Sequence, residues 1–108
     1  MWDSRGIRFG GGFPDLYSES LNMVWDVKPD SVYGYTSGAA QISAYTSNGV
    51  YSPGTDVIMG GKPSIVLSGA MNRYEFSYSP GGLVIYRALD PSPMEKQITL
   101  LLMMLSGR

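Results

Sequence analysis

The sequence predicts an all-β protein: a single antiparallel β-sandwich of short strands and hairpins that spans residues 1–108 and ends in a buried strand. Turn-forming groups of Gly, Pro, Asn and Ser recur along the chain, and most segments between them are too short for an ordinary helix. Many of these segments are rich in Val, Ile, Thr and Tyr, which suit a pleated surface. Short strands separated by regular turns are typical of a sandwich or a barrel.

The first strands are predicted from alternation. We expect strands at residues 6–9 and 16–18, separated by a glycine-rich turn. Residues 21–28 carry the clearest amphipathic pattern, with one face formed by Leu21, Met23, Trp25 and Val27 and a polar face formed by Asn22, Asp26 and Lys28. On the apolar face, Trp25 is predicted to be the main ring of the core.

The middle of the chain is predicted to continue as strands. A less regular strand is expected at residues 31–35, and Asn48-Gly49 favours a hairpin between residues 41–46 and 50–51, because both turn residues tolerate positive φ. Further strands are expected at residues 56–59 and 64–67.

A second hairpin is predicted around Pro80-Gly81-Gly82. It joins residues 73–78 to residues 83–87. Aromatic and polar residues alternate in the first of these strands, so we expect one face to carry all three rings, Tyr74, Phe76 and Tyr78.

The last strand is predicted from an apolar run. Every residue from 98 to 105 except Thr99 is apolar, and a half-buried strand would alternate, so this run must be covered on both faces. Its burial would contribute about 10–20 kcal/mol as an upper bound. Leu and Met also favour a helix, but we favour a strand because Ile98 and Thr99 open it. We expect burial in the core or against a neighbouring subunit for Trp25, Leu100, Leu101, Leu102, Met103, Met104 and Leu105.

Composition argues against several classes of function. The chain has no Cys and no His, which removes thiolate chemistry and the commonest general base and metal ligand. A net charge of −1 with 16% charged residues disfavours nucleic acid and anionic membranes as partners. The apolar run is about half the length of a membrane-spanning helix, and we expect no signal peptide. We therefore expect no enzymatic activity, no cofactor, no metal and no membrane insertion.

Two motifs are better explained without chemistry. Residues 60–64 (Gly-Gly-Lys-Pro-Ser) partly match a phosphate-binding loop, but the glycine spacing fails and Pro63 removes a backbone donor. The carboxylate pairs Asp15/Glu19 and Asp26/Asp30 lack the spacing of a calcium loop. We interpret these carboxylates as solvated turn residues.

The chain contains eight tyrosines. Tyrosine offers a large contact area at low entropic cost, so these rings suit a protein interface or stacking on a sugar. Tyrosine is also common on half-exposed strands. The predicted contact face comprises Tyr33, Tyr35, Tyr45 and Tyr51.

The N-terminal layout carries a resemblance. Gly6-Ile7-Arg8-Phe9, a loop, Leu16-Tyr17-Ser18 and then residues 23–27 (Met-Val-Trp-Asp-Val) resemble the opening of small tail-associated proteins of long-tailed bacteriophages, encoded among tail-tip and tail-fibre genes. The resemblance implies a β-sandwich bound to the tail or its fibre in several symmetric copies, with no catalytic residues.

The expected function is therefore that of a non-enzymatic phage virion structural protein. It would dock on other tail proteins at the tail tip or tail fibre as a homo-oligomer, support assembly and contact the host surface during attachment. It would reside in the virion after assembly in the host cytoplasm. The alternatives are a small adhesion module that binds bacterial surface glycan through the four tyrosines, and a capsid decoration protein.

Overall fold

A computed structural model describes residues 2–10, 12–69, 72–89 and 93–106. Its elements are β1 (Leu16–Ser18), β2 (Met23–Pro29), α1 (Val32–Tyr45), β3 (Ser52–Pro53), a 3-10 helix (Asp56–Met59), β4 (Ile65–Ser68), β5 (Arg73–Ser79), β6 (Leu83–Leu89) and α2 (Pro93–Leu105). The strands form a mixed, curled sheet in the order β1-β2-β6-β5-β4, with β3 also paired to β2. The protein is rich in strands, as predicted, but it is not clearly a sandwich.

The predicted amphipathic strand is confirmed as β2, which lies at the centre of the fold. Its first half pairs antiparallel with β1 and parallel with β3, and its second half pairs parallel with β6. The adjacent residues Val24 and Trp25 are 0% and 4% exposed. Because neighbouring side chains point to opposite faces of a strand, β2 is covered on both sides.

Residues 32–45 form a helix, so the strands predicted at 31–35 and 41–46 are wrong. The Ser31 hydroxyl caps the helix by accepting a hydrogen bond from the Gly34 backbone N–H at 3.0 Å. The buried residues Gly34, Gly38 and Ile42 recur every four positions and face the sheet. A Cβ at Gly38 would lie only 2.6 Å from Leu83 Cδ2, so glycine lets the helix approach the sheet closely.

Outside α1, some predictions for the first two thirds of the chain are wrong and one is confirmed. Asn48-Gly49 follows the helix instead of closing a hairpin, and residues 6–9 contribute only an isolated bridge between Trp2 and Arg8. Residues 56–59 form a 3-10 helix, whereas residues 65–68 form the predicted strand.

The second predicted hairpin is confirmed by β5 and β6. Tyr78 pairs with Val84 and Phe76 with Tyr86 in antiparallel register. Gly81 and Gly82 adopt φ values of 99° and 84°, in the left-handed region that glycine enters without strain. The turn residues therefore fix the register that the alternating pattern requires.

The predicted buried strand at residues 98–105 is wrong, because this run lies in α2. A helix satisfies its own backbone hydrogen bonds, whereas a strand needs a partner strand. Leu and Met are good helix formers, and Pro93 suits the first helical position. The apolar side chains are exposed instead of buried: Ile98 46%, Leu100 59%, Leu101 54%, Leu102 56%, Met103 57%, Met104 75% and Leu105 74%.

The core lies between α1 and one face of the sheet. It comprises Phe9, Val24, Ile42, Tyr45, Tyr51, Leu83 and Ile85. The radius of gyration is 18.0 Å, and the longest dimension is 57 Å. A compact domain of this length would have a radius of gyration of about 13 Å, so the molecule is elongated.

Candidate interaction surface

The predicted tyrosine face does not exist as one surface. Tyr33 and Tyr35 are 79% and 39% exposed, but Tyr45 and Tyr51 are 7% and 2% exposed and belong to the core. The prediction assumed strands, in which alternate residues share a face, whereas residues two apart on a helix point away from each other. Trp25 is buried, and its ring N–H donates to the Thr55 carbonyl at 2.9 Å.

Tyr51 takes part in a polar cluster instead of a contact face. Its hydroxyl donates to the Asp3 carboxylate and accepts from the Arg5 guanidinium. The backbone N–H groups of Arg5 and Ile7 also donate to Asp3, at 2.8 and 2.9 Å. Burial alone would raise the pKa of Asp3, but the hydrogen bonds from Tyr51, Ile7 and Arg5 together lower that pKa to about 2. Every polar group here is satisfied by its neighbours, so the cluster fixes the first residues to the core.

A second cluster surrounds Asp26, which is 1% exposed and is therefore not the solvated carboxylate that the sequence predicted. Burial, followed by a hydrogen bond with the Asp15 carboxyl, raises the pKa of Asp26 to about 6. Lys28 Nζ lies 3.2 Å from Asp26 Oδ2 but does not form a well-aligned hydrogen bond with it. The Asp15 carboxylate also accepts from the Val27 N–H at 2.8 Å. Because Asp26 is closed off from solvent, it is a buried structural group that responds to pH.

Two exposed apolar features lie elsewhere, and the first is a face of the sheet. Val27, Tyr74, Phe76 and Tyr86 line an open depression of about 340 Å³. Leu67 pairs with Tyr74 across β4 and β5, so it shares this face, and it is 57% exposed. We call these five residues the aromatic face.

Aromatic contacts preorganise this surface. The ring centroids of Tyr74 and Tyr86 are 6.3 Å apart at 75°, and those of Phe76 and Tyr86 are 6.1 Å apart at 41°. Both arrangements are favourable for aromatic pairs. The core side of the sheet is different, because Glu75 and Arg87 form an ion pair there at 2.6 Å. The aromatic face is therefore apolar, whereas the opposite face of the same strands combines this ion pair with the core residues Leu83 and Ile85.

The second exposed feature is α2, which is apolar on two sides. Helical spacing places one set on one side, namely Ile98, Leu101, Leu102 and Leu105, and a second set on the other side, namely Leu100, Met103 and Met104. A helix that is apolar all round is normally buried. Residues 97–105 contain no charge, so no ionic group keeps this part of the helix in water.

The cost of leaving α2 exposed can be estimated. Full burial of a Leu or Ile side chain contributes about 1.5–3 kcal/mol. The first set is 46–74% exposed, so covering its four residues would contribute roughly 4–7 kcal/mol. Association costs about 4–15 kcal/mol in lost freedom. Covering one helix side therefore contributes about as much free energy as association costs. A stable contact needs a complementary surface or a second copy of the same contact.

Other site types find little support in the described residues. In residues 2–10, 12–69, 72–89 and 93–106, no group of three or more acidic side chains is placed to hold a metal ion. Within the same ranges, no helix is long and apolar enough to cross a membrane. Comparisons with protein-family models, with curated proteins and with solved structures each find no match. The physical character of α2 and of the aromatic face is therefore the basis for inferring function.

Proposed function

We propose that this protein is a non-enzymatic structural component of a phage virion, which docks at the tail tip or tail fibre and supports its assembly. The observation that carries the assembly role is the exposed apolar helix α2, with seven Leu, Ile and Met side chains that are each 46–75% exposed. Surfaces of this kind occur where a partner covers them. The proposed partners are other tail proteins and further copies of this chain.

The shape of the molecule supports the same role. The radius of gyration of 18.0 Å and the length of 57 Å describe an elongated subunit. Elongated subunits with two separate apolar surfaces suit assemblies in which each copy touches more than one neighbour. Low charge also fits a protein that is covered by neighbours instead of remaining free in solution.

The tail assignment rests on the resemblance of the N-terminal layout to small tail-associated proteins of long-tailed phages. Residues 16–18 and 23–27 of this layout lie in strands β1 and β2, which pair with Leu16 opposite Trp25. The proposed site of residence is accordingly the virion, after assembly in the host cytoplasm. A role in host attachment would follow from a position at the tail tip.

Two alternatives predict different positions or ligands. A capsid decoration protein has the same need for covered apolar surface but sits on the head. A glycan-binding module needs exposed rings; on the aromatic face Tyr74 is 36% exposed and Tyr86 is half-buried, whereas Tyr45 and Tyr51 are buried and do not qualify.

The test is immunogold electron microscopy on purified particles of the phage that encodes this chain, with antibodies against the protein. Label at the tail tip or fibre supports the proposal. Label on the head identifies a decoration protein and contradicts the tail assignment, and particles without label contradict a virion role altogether. A glycan array with the purified chain should stay silent; binding that is lost in Tyr74→Ala and Tyr86→Ala would favour the adhesion module.

A further inference from the structure

We propose that α2 of one copy docks on the aromatic face of a second copy, and that the second copy returns the same contact. This inference rests on the proposed assembly role and specifies its partner as a second copy of this chain. The donor is the helix side formed by Ile98, Leu101, Leu102 and Leu105. The acceptor is the aromatic face, formed by Val27, Leu67, Tyr74, Phe76 and Tyr86.

The two surfaces match in chemistry. Residues 97–105 of α2 and the aromatic face contain no charged residue, so contact through this part of the helix leaves no ion buried without a partner. The opposite face of β6 is already occupied, because α1 packs on it against Leu83 and Ile85, and it also carries the ion pair between Glu75 and Arg87. The aromatic face is open to solvent around a depression of about 340 Å³, where the Leu side chains of a helix can make apolar contacts.

The two surfaces also match in size. The charge-free part of α2, residues 97–105, is about 14 Å long and about 10 Å wide. Strands β2, β6, β5 and β4 lie side by side, so the face they form is about 14 Å across and accommodates one helix.

The area favours a reciprocal contact over a single one. One helix side on one face is a small contact against the roughly 800 Å² of accessible surface that each partner buries in a stable interface. In a twofold dimer each copy contributes a helix and a face, so the contact is made twice and the assembly is closed. The second side of each helix, with Leu100, Met103 and Met104, then remains for contact between the two helices or with a third protein.

A contact within one chain is the main rival. Strand β6 ends at residue 89 and α2 begins at residue 93, so the two elements are close enough in the chain for the helix to lie against its own sheet. In the structure, however, Leu101, Leu102 and Leu105 are 54%, 56% and 74% exposed, so α2 does not cover its own aromatic face. The experiment must therefore separate contacts between chains from contacts within one chain.

The absence of cysteine from the chain allows a clean cross-linking test. Leu102→Cys marks the helix, and Leu67→Cys marks the aromatic face. Val66→Cys is the matched control, because it lies in the same strand and is similarly exposed, 48% against 57%, but points to the opposite face. All three positions are exposed, so the variants should fold normally.

Two differently tagged variants are co-expressed, purified and treated with a short bismaleimide linker. A flexible linker is preferred because a disulfide would require the two Cα atoms to lie within about 7 Å of each other. We expect Leu102→Cys with Leu67→Cys to give at least tenfold more cross-linked heterodimer than Leu102→Cys with Val66→Cys. Equal yields for the two pairs would overturn the proposal.

Two further outcomes separate this inference from its rivals and from the proposed function. A chain that carries both Leu102→Cys and Leu67→Cys and closes only within itself would show that α2 covers its own sheet, and would overturn the exchange. The cross-linking result does not depend on where the protein resides. If the protein forms the dimer but phage particles carry no label, only the virion role is refuted. If tails are labelled but no dimer forms, only the docking of α2 on a second copy is refuted.

Discussion

Replacing Leu102 with Asp should abolish self-association while leaving the single chain folded. Leu102 is 56% exposed in the single chain, so its cover by a second copy contributes about 1–2 kcal/mol. An unpaired carboxylate at the same place would cost a further 3 kcal/mol or so. The total of roughly 4 kcal/mol per helix weakens the dissociation constant by about 10³ for one contact, and by more for two. In the single chain, a substitution at this exposed position should change stability by only about 0.5 kcal/mol.

The assay is sedimentation velocity from about 1 µM to about 1 mM, which spans dissociation free energies of roughly 8 to 4 kcal/mol. Thermal melts at low concentration report the stability of the single chain.

Two control variants show whether the buried charge at residue 102 causes the loss of association. Leu102→Lys introduces the opposite charge, which suits the end of a helix, and should abolish association as well. Ser43→Asp adds the same negative charge to an exposed polar position of α1, away from both surfaces, and should leave association intact. Unchanged sedimentation of Leu102→Asp would refute the reasoning.

Three further predictions concern the fold itself. The pKa of Asp26 is raised to about 6. The stability this group contributes is therefore present below pH 3.8 and is lost as the pH rises through 6. At pH 7.5, Asp26→Asn should have a free energy of unfolding up to about 3 kcal/mol larger than that of the wild type, measured by urea unfolding across pH. The pKa of Asp3 is lowered to about 2, so the stability it contributes is present above pH 3.8 and is lost as the pH falls through 2. The stability of Asp3→Asn should therefore depend less on pH in that window than the stability of the wild type. Circular dichroism during acid unfolding measures the difference. Gly54→Ala places a Cβ 2.1 Å from the Trp25 ring. This substitution should lower the free energy of unfolding by about 2 kcal/mol and Tm by roughly 8–16 °C. The control Gly69→Ala, whose Cβ would lie 3.5 Å from Asn72 O, should leave Tm unchanged.

The parts of the fold that could be predicted from sequence are those where local pattern and tertiary burial agree. Residues 73–78 alternate because one side of β5 carries rings and the other carries polar groups, and the glycines at 81 and 82 adopt the positive φ that the turn needs. Residues 32–45 contain Tyr, Thr, Ser and Gly, which are poor helix formers. There the close approach of Gly38 to Leu83 outweighs intrinsic propensity. An alternating pattern reveals a sheet face, but it does not reveal a contact that depends on the absence of a side chain.

The same missed helix explains why the buried carboxylate could not be predicted. The alternation in β2 correctly places Asp26 on the face opposite Trp25, and a polar residue on such a face is expected to meet water. Helix α1 covers that face, so Asp26 is 1% exposed and its pKa rises. The aromatic face was visible only in part: its rings on β5 follow from local sequence, but Val27 and Leu67 join them through pairings between distant strands.

The apolar run at residues 98–105 shows why a missing period leaves two structures open. Without alternation, composition alone cannot separate a fully buried strand from a buried helix. In either structure the apolar side chains need to be covered by other residues. In α2 these side chains lie at the surface, where Leu105 and Met104 are 74% and 75% exposed.

Folding and assembly should therefore be separable in this protein. The core between α1 and the sheet includes Phe9 and Ile42 and, among the described side chains, none from α2, so a single chain can fold before its helix is covered. Substitutions in the core, such as Gly54→Ala, should weaken both folding and association, because an unfolded chain presents no aromatic face. Substitutions on α2, such as Leu102→Asp, should weaken association alone. If loss of α2 burial instead lowered the stability of the dilute single chain by several kcal/mol, the helix would have to be part of its own core, and the second copy would be unnecessary.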